Sequence, residues 1–107
     1  ALPISSAQRY PLLPDVPTVA ESGVPELKGF EALAWNGVLV AAGTPRAIVE
    51  RINSALNAAL NDSAVKERLK SAGLDPVGGT PEHFAKLIHD ESIKWAPIIK
   101  RSGARLD

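Results

Sequence analysis

The sequence predicts an α/β domain in which helix predominates, and three observations carry that expectation. Two triplets, Gly43-Thr44-Pro45 and Gly79-Thr80-Pro81, each open a long run whose apolar residues recur three and four apart. The run Val38-Leu39-Val40 sets apolar side chains consecutively rather than alternately, which suits a strand covered on both faces in the middle of a parallel sheet. Pro11, Pro14 and Pro17 crowd one stretch, where fixed φ values and extended predecessors favour a rigid traversing loop over any regular element.

Taken in order, residues 2–5 are short and apolar and read as the tail of a strand. After the proline-rich loop, Thr18-Val19-Ala20-Glu21 fits a capping box, and Gly23 supplies a left-handed stop one or two turns later. Residues 24–31 are a connection marked by proline and glycine. Residues 33–42 are the best strand, and Gly37 within it marks a bulge or a close backbone approach. Thr44 is expected to cap the next helix with Pro45 at its first position. Ile48, Val49, Ile52, Leu56, Ala59 and Leu60 form that helix's apolar stripe.

A break is expected at Asn61-Asp62, where Asp62 caps a second helix bearing Val65, Leu69 and Ala72 and closed by Gly73. Residues 74–78 form an edge-strand candidate limited by Pro76. Thr80-Pro81-Glu82 repeats the cap, with an acid at the positive end of the helix dipole. Phe84, Leu87, Ile88, Trp95, Ile98 and Ile99 share one face of the last helix. Pro97 removes one of its hydrogen bonds and is expected to kink it, and Gly103 is expected to end it.

At 107 residues the chain is one domain or part of one. Its 12 basic and 12 acidic side chains cancel, which argues against the clustered cations of a nucleic-acid footprint or a membrane-surface patch. Aromatics make up 5%, too few for a base-stacking platform. The absence of cysteine removes disulfides, thiolate nucleophiles and Cys-based metal sites together. No stretch approaches the roughly 18 apolar residues of a membrane span. Ala1-Leu2-Pro3-Ile4 has neither a basic n-region nor a long apolar h-region, and the chain has no methionine. It is therefore expected to be a piece of a longer polypeptide. Two or three short strands cannot make a self-sufficient sheet either, so the neighbours of Val38-Leu39-Val40 are expected to come from elsewhere.

Catalytic patterns are weak. His83 and His89 are six apart and do not share a helix face, so no metal triad is implied. His89-Asp90-Glu91 with Ser92 are adjacent helical residues pointing in different directions, which cannot relay a proton. Gly78-Gly79-Thr80 is too short for a phosphate loop and lacks its lysine. Glu50, Arg51, Lys66, Glu67, Arg68 and Lys70 lie off the apolar stripes and read as solvated faces or as docking charges. The helix starts at Thr18, Thr44 and Thr80 are where free amides could meet an anion, and they serve equally well as plain caps.

Six blocks in order point to a family. They are Ser6-Ala7-Gln8-Arg9, the run from Leu13-Pro14-Asp15-Val16-Pro17 through Thr18-Val19-Ala20-Glu21-Ser22-Gly23, Trp35-Asn36-Gly37, Ala42-Gly43-Thr44-Pro45, Val77-Gly78-Gly79-Thr80-Pro81-Glu82, and Trp95. Over nearly the whole chain these resemble the C-terminal portion of the tripartite tricarboxylate transporter substrate-binding proteins, or Bug-type receptors. The resemblance implies a two-lobed, hinged, periplasmic receptor that captures a small carboxylated solute for membrane permease components or a sensor. It implies no catalysis and no cofactor. Residues 1–32 would then be a crossover segment, and residues 33–107 the strand–helix–helix–strand–helix part of the first lobe.

On that resemblance Trp35-Asn36-Gly37 lies where the chain re-enters the first lobe, so Trp35, Asn36, Gly37 and Thr18 are the candidate ligand-binding residues. An indole beside a side-chain amide offers an apolar wall and hydrogen-bond partners. The plainer alternative packs Trp35 in the core with Asn36 facing water. The chain departs from the family at Asn36, where an aromatic is common, and at Pro97. The runner-up is a stand-alone helical interaction module, either a dimerising domain or one pairing through its incomplete sheet edge, and a hydrolase is disfavoured for want of a nucleophile and base.

Overall fold

The structure is a computed structural model describing residues 2–104. The far ends of the two expected segments, residue 1 and residues 105–107, lie outside the described residues. The chain divides into two compact units, Ala1–Gly37 and Val38–Asp107.

Among its described residues the first unit contains no α-helix. Its frame is a strip of backbone at Ile4 and Ser5. The Ile4 amide donates to the Pro17 carbonyl at 2.9 Å, and Val19 N donates back to Ile4 O at 2.8 Å, which makes a single parallel bridge between Ile4 and Thr18. One residue on, the Ser5 carbonyl accepts from Ala32 N at 2.9 Å. The expected strand tail is thus reduced to one bridge, which nonetheless holds both ends of the proline-rich excursion. Two 3₁₀ turns follow, Val19–Glu21 and Pro25–Leu27. The first carries the expected capping box, with the Thr18 amide donating to Glu21 Oε2 at 2.8 Å, and Gly23 follows with φ of 78°.

Among its described residues the second unit holds three helices: α1 (Arg46–Asn61), α2 (Ser63–Ser71) and α3 (Pro81–Ser102), with both α2 and α3 against α1. The α1–α2 break falls where the sequence places it, because Asp62 Oδ1 accepts from Val65 N at 3.0 Å. Thr80 caps α3 by accepting from His83 N at 3.1 Å, and Gly103, with φ of 68°, follows its last residue. Helical geometry runs through Pro97. The α1 cap is a correction. The Thr44 hydroxyl donates backwards to the Ala41 carbonyl at 2.7 Å, so it does not cap, and Pro45 occupies the cap position. A short hydroxyl can serve a turn or a helix start, and here the turn wins.

Neither expected strand forms, so the α/β class is corrected among the described residues to helix without sheet. A strand exists only through pairing. Among the described residues no bridge or ladder engages residues 33–40. In residues 74–78 the Leu74 amide turns back to Leu69 O at 2.9 Å, closing α2 instead of starting a ladder.

No apolar side chain among the described residues is buried. The stripe residues Val49, Ile52, Leu60, Leu69, Phe84, Leu87, Ile88 and Trp95 are half-buried, whereas Leu39 is 74% exposed. With so little apolar area removed from water, polar contacts carry an unusual share of the order.

The clearest of these ties α1 to the turn before α3. Asn57 Oδ1 accepts from Gly79 N at 2.9 Å while Asn57 Nδ2 donates to Gly79 O at 2.9 Å, which is the pattern one strand offers another. Asn53 Nδ2 adds a third bond to Gly79 O at 2.9 Å. Gly78 must be glycine twice over. Its φ is +68°, and a Cβ there would lie 2.6 Å from Asn57 Oδ1. Gly73, with φ of +74°, has no neighbour within 4 Å of that position. Gly73→Ala should therefore cost only the left-handed backbone penalty, about 1–2 kcal/mol. Gly78→Ala should cost more, because it also displaces the Asn57 amide. Thermal loss of helical circular dichroism in the two variants checks the order.

Candidate functional site

The first unit carries the candidate ligand-binding residues, and their placement follows from the Ile4–Ser5 strip. Thr18 sits on one side of it through the bridge to Ile4. Trp35, Asn36 and Gly37 follow three residues after Ala32, which is bonded to Ser5 on the other side.

Their surroundings differ sharply. Thr18 is 2% exposed. Its amide is held by Glu21 Oε2, and its carbonyl accepts from Glu21 N at 3.1 Å. The neighbouring Val19 amide is spent on Ile4 O. The Thr18, Val19 and Glu21 amides are thus engaged within the chain. Trp35 is 42% exposed, and Asn36 and Gly37 are exposed. An indole and an amide side chain are thereby exposed on consecutive residues.

Sequence reasoning passed over the group that fixes this arrangement. Arg9 donates from Nε to both Glu21 carboxylate oxygens, at 3.1 and 3.0 Å, and from Nη2 to Oε1 at 2.9 Å. Its Nη1 donates to the Pro14 carbonyl at 3.1 Å, so one guanidinium clamps the proline-rich loop to the cap of the 3₁₀ turn. The planar fork of arginine suits such a two-oxygen grip. The Arg9 fork and the Thr18 amide together hold the Glu21 carboxyl down to about 2, and Glu21 in turn raises the Arg9 guanidinium. The sequence signal was present. Arg9 and Glu21 stand in adjacent motif blocks, but nothing local says that they meet.

The second unit offers a shallow apolar depression lined by Val38, Val40, Val49, Ile52, Leu56 and Pro81, with Asn53 at its side. The charges on its helices pair along the surface: Arg46 reaches Glu50 at 2.7 Å and Glu82 at 3.5 Å. On α3, Glu91 accepts from Trp95 Nε1 at 2.6 Å and pairs with Lys94 at 3.2 Å. The indole bond foremost lowers the Glu91 carboxyl, partly opposed by desolvation. His83 and His89 are exposed, and among the described residues no three His, Cys, Asp or Glu side chains gather as a metal site.

Comparison with known proteins places this geometry in context. A family model described as "Tripartite tricarboxylate transporter family receptor" matches residues 1–104. The chain is 45% identical over 99 residues to a protein in the tcbD-tcbE intergenic region of Pseudomonas sp. (strain P51), covering 92% of this chain and 29% of that one. It is 39% identical over 106 residues to protein BugT of Bordetella pertussis, covering 99% and 32% respectively. A protein in the TAR-I ttuE-ttuC' intergenic region of Agrobacterium vitis is 37% identical over 106 residues, covering 96% and 30%. The chain thus spans about a third of the length of these three relatives. No solved structure matches it.

The Arg9–Glu21 clamp has a pH signature. The folded carboxyl titrates below its unfolded value, so its stabilisation is complete above the ordinary glutamate range and disappears as pH falls through about 2. A carbon-detected NMR titration should place Glu21 near that value. Arg9→Ala should move the midpoint upward towards that of an ordinary glutamate; an unchanged midpoint would show that Arg9 is not its cause.

Proposed function

Since the chain belongs to the tripartite tricarboxylate transporter receptor family, we propose that it forms part of a periplasmic receptor capturing a small carboxylated solute. The receptor hands that solute to membrane permease components, or to a sensor, and performs no catalysis. The observation carrying this is the family match, which runs through both units almost from end to end. In the intact protein two lobes close around the solute, and affinity comes from backbone amides, side-chain donors and trapped water.

Two features of the chain support that role. Trp35-Asn36-Gly37 leaves an apolar ring and an amide exposed on a segment whose backbone is not consumed by a ladder. The apolar segment at Val38-Leu39-Val40, open on its faces, fits a strand completed by backbone from the rest of a relative-length polypeptide. In that architecture residues 33–107 finish the first lobe and residues 1–32 cross between lobes. Among the described residues no helix is long and apolar enough to cross a membrane, which fits a receptor that meets its permease from outside.

Calorimetry on a receptor of the relatives' length carrying this segment tests the site. A panel of small carboxylates identifies the solute. Trp35→Ala combined with Asn36→Ala should then weaken binding about tenfold or more, equivalent to about 1.4 kcal/mol. Unchanged affinity with an intact fold would remove Trp35 and Asn36 from the site. A receptor that binds no carboxylate in the panel would overturn the substrate class.

A further inference from the structure

The chain has four asparagines, Asn36, Asn53, Asn57 and Asn61, and the structure separates one from the rest. Asn53, Asn57 and Asn61 all lie on α1. Asn53 and Asn57 donate to the Gly79 carbonyl, and Asn61 Nδ2 donates to Asn57 O at 3.0 Å. The amides that follow Asn53 and Asn57 lie within the same helix, and the one that follows Asn61, Asp62 N, donates to Ala59 O at 3.1 Å. Asn36 is different in each respect. It is exposed and outside any helix or ladder, and no hydrogen bond engages its side chain or the Gly37 amide among the described residues. The residue after it is glycine, which adds no Cβ and leaves the backbone free to turn inward.

From this contrast we infer that Asn36-Gly37 is a site of spontaneous covalent modification, in which Asn36 converts through a cyclic imide to aspartate and isoaspartate. The Gly37 amide nitrogen loses its proton to solvent base and attacks Asn36 Cγ. The new C–N bond closes a five-membered succinimide, and the side-chain nitrogen takes up a proton and leaves as ammonia. Water then opens the ring. Cleavage between the Gly37 nitrogen and Cγ gives aspartate; cleavage between that nitrogen and the main-chain carbonyl carbon gives isoaspartate, with the backbone rerouted through Cβ and Cγ. The net change is one water consumed and one ammonia released, with no oxidation or reduction. The asparagines of α1 are protected because ring closure there would require a helical amide to leave its hydrogen bond and rotate towards its own side chain.

The chemistry depends on no property of the solute. Its functional consequence rests on the receptor reading above. The product carries a full negative charge in the segment proposed to face a carboxylate, and like charges at close range repel. The isoaspartate form also shifts Trp35 relative to Gly37 by an added backbone carbon. A receptor of this kind would thus lose affinity with age, faster in alkaline medium, where the Gly37 amide is more readily deprotonated.

Incubation of the full chain in mildly alkaline buffer, followed by proteolytic peptide mapping with mass spectrometry, tests the modification itself. Aspartate and isoaspartate should accumulate at position 36 at a rate comparable with that of a free peptide spanning residues 33–40. Asn53, Asn57 and Asn61 should remain amides over the same period. Gly37→Ala should slow the conversion severalfold and Asn36→Gln should abolish it at that peptide, and neither substitution touches the α1 hydrogen bonds. Conversion at Asn36 no faster than at Asn57, or far slower than in the free peptide, would overturn the inference. Because mass and peptide identity are read directly, failure here is distinguishable from failure of the receptor to bind carboxylates.

Discussion

The Glu21 carboxylate holds three separated pieces of the first unit at once. It accepts from the Thr18 amide at the start of its own turn, and from the Arg9 fork, which also grips the Pro14 carbonyl. The prolines between them limit the loop's freedom, but proline lacks an N–H and cannot close the loop by itself. A bidentate ion pair supplies that closure. It lies partly open to water, so its value is in fixing geometry more than in raw stability. Thr18, which joins both this clamp and the Ile4 bridge, is buried.

The second unit meets the same difficulty with a different group. Its helices present apolar stripes, yet none of those side chains is fully withdrawn from water among the described residues. Order at the entrance to α3 comes instead from Asn57, whose amide imitates a peptide unit and satisfies both the donor and the acceptor of Gly79. The left-handed Gly78 and Gly79 make room for that approach. In both units a polar side chain does for the backbone what a neighbouring strand would otherwise do.

That substitution matters for function because no ladder engages residues 33–40 among the described residues. The segment holds the exposed indole and amide of the proposed solute contact and the apolar run suited to a sheet interior. Openness serves the first use and invites the second. It also leaves Asn36 chemically unguarded, while the asparagines of α1 are occupied as structural clamps. One residue type therefore plays opposite parts in the two units, according to whether its own side chain and the next amide are bonded.

The sequence by itself determined whatever closes within a few residues. Thr80 and Asp62 as helix caps, the Thr18–Glu21 capping box, the glycine stops at Gly23, Gly73 and Gly103, and the three-helix order of the second unit all depend on groups at most four positions apart, where residue type fixes geometry. Local reading failed at Thr44, whose hydroxyl had two nearby partners and took the carbonyl behind it. Only the tertiary structure decided that Arg9 meets Glu21, that Asn57 meets Gly79 across 22 residues, and that residues 33–42 find no ladder. A side chain carries its hydrogen-bonding capacity in its identity, but which distant partner meets it depends on the path of the whole chain. A strand is the extreme case, since its partner must be supplied by other backbone.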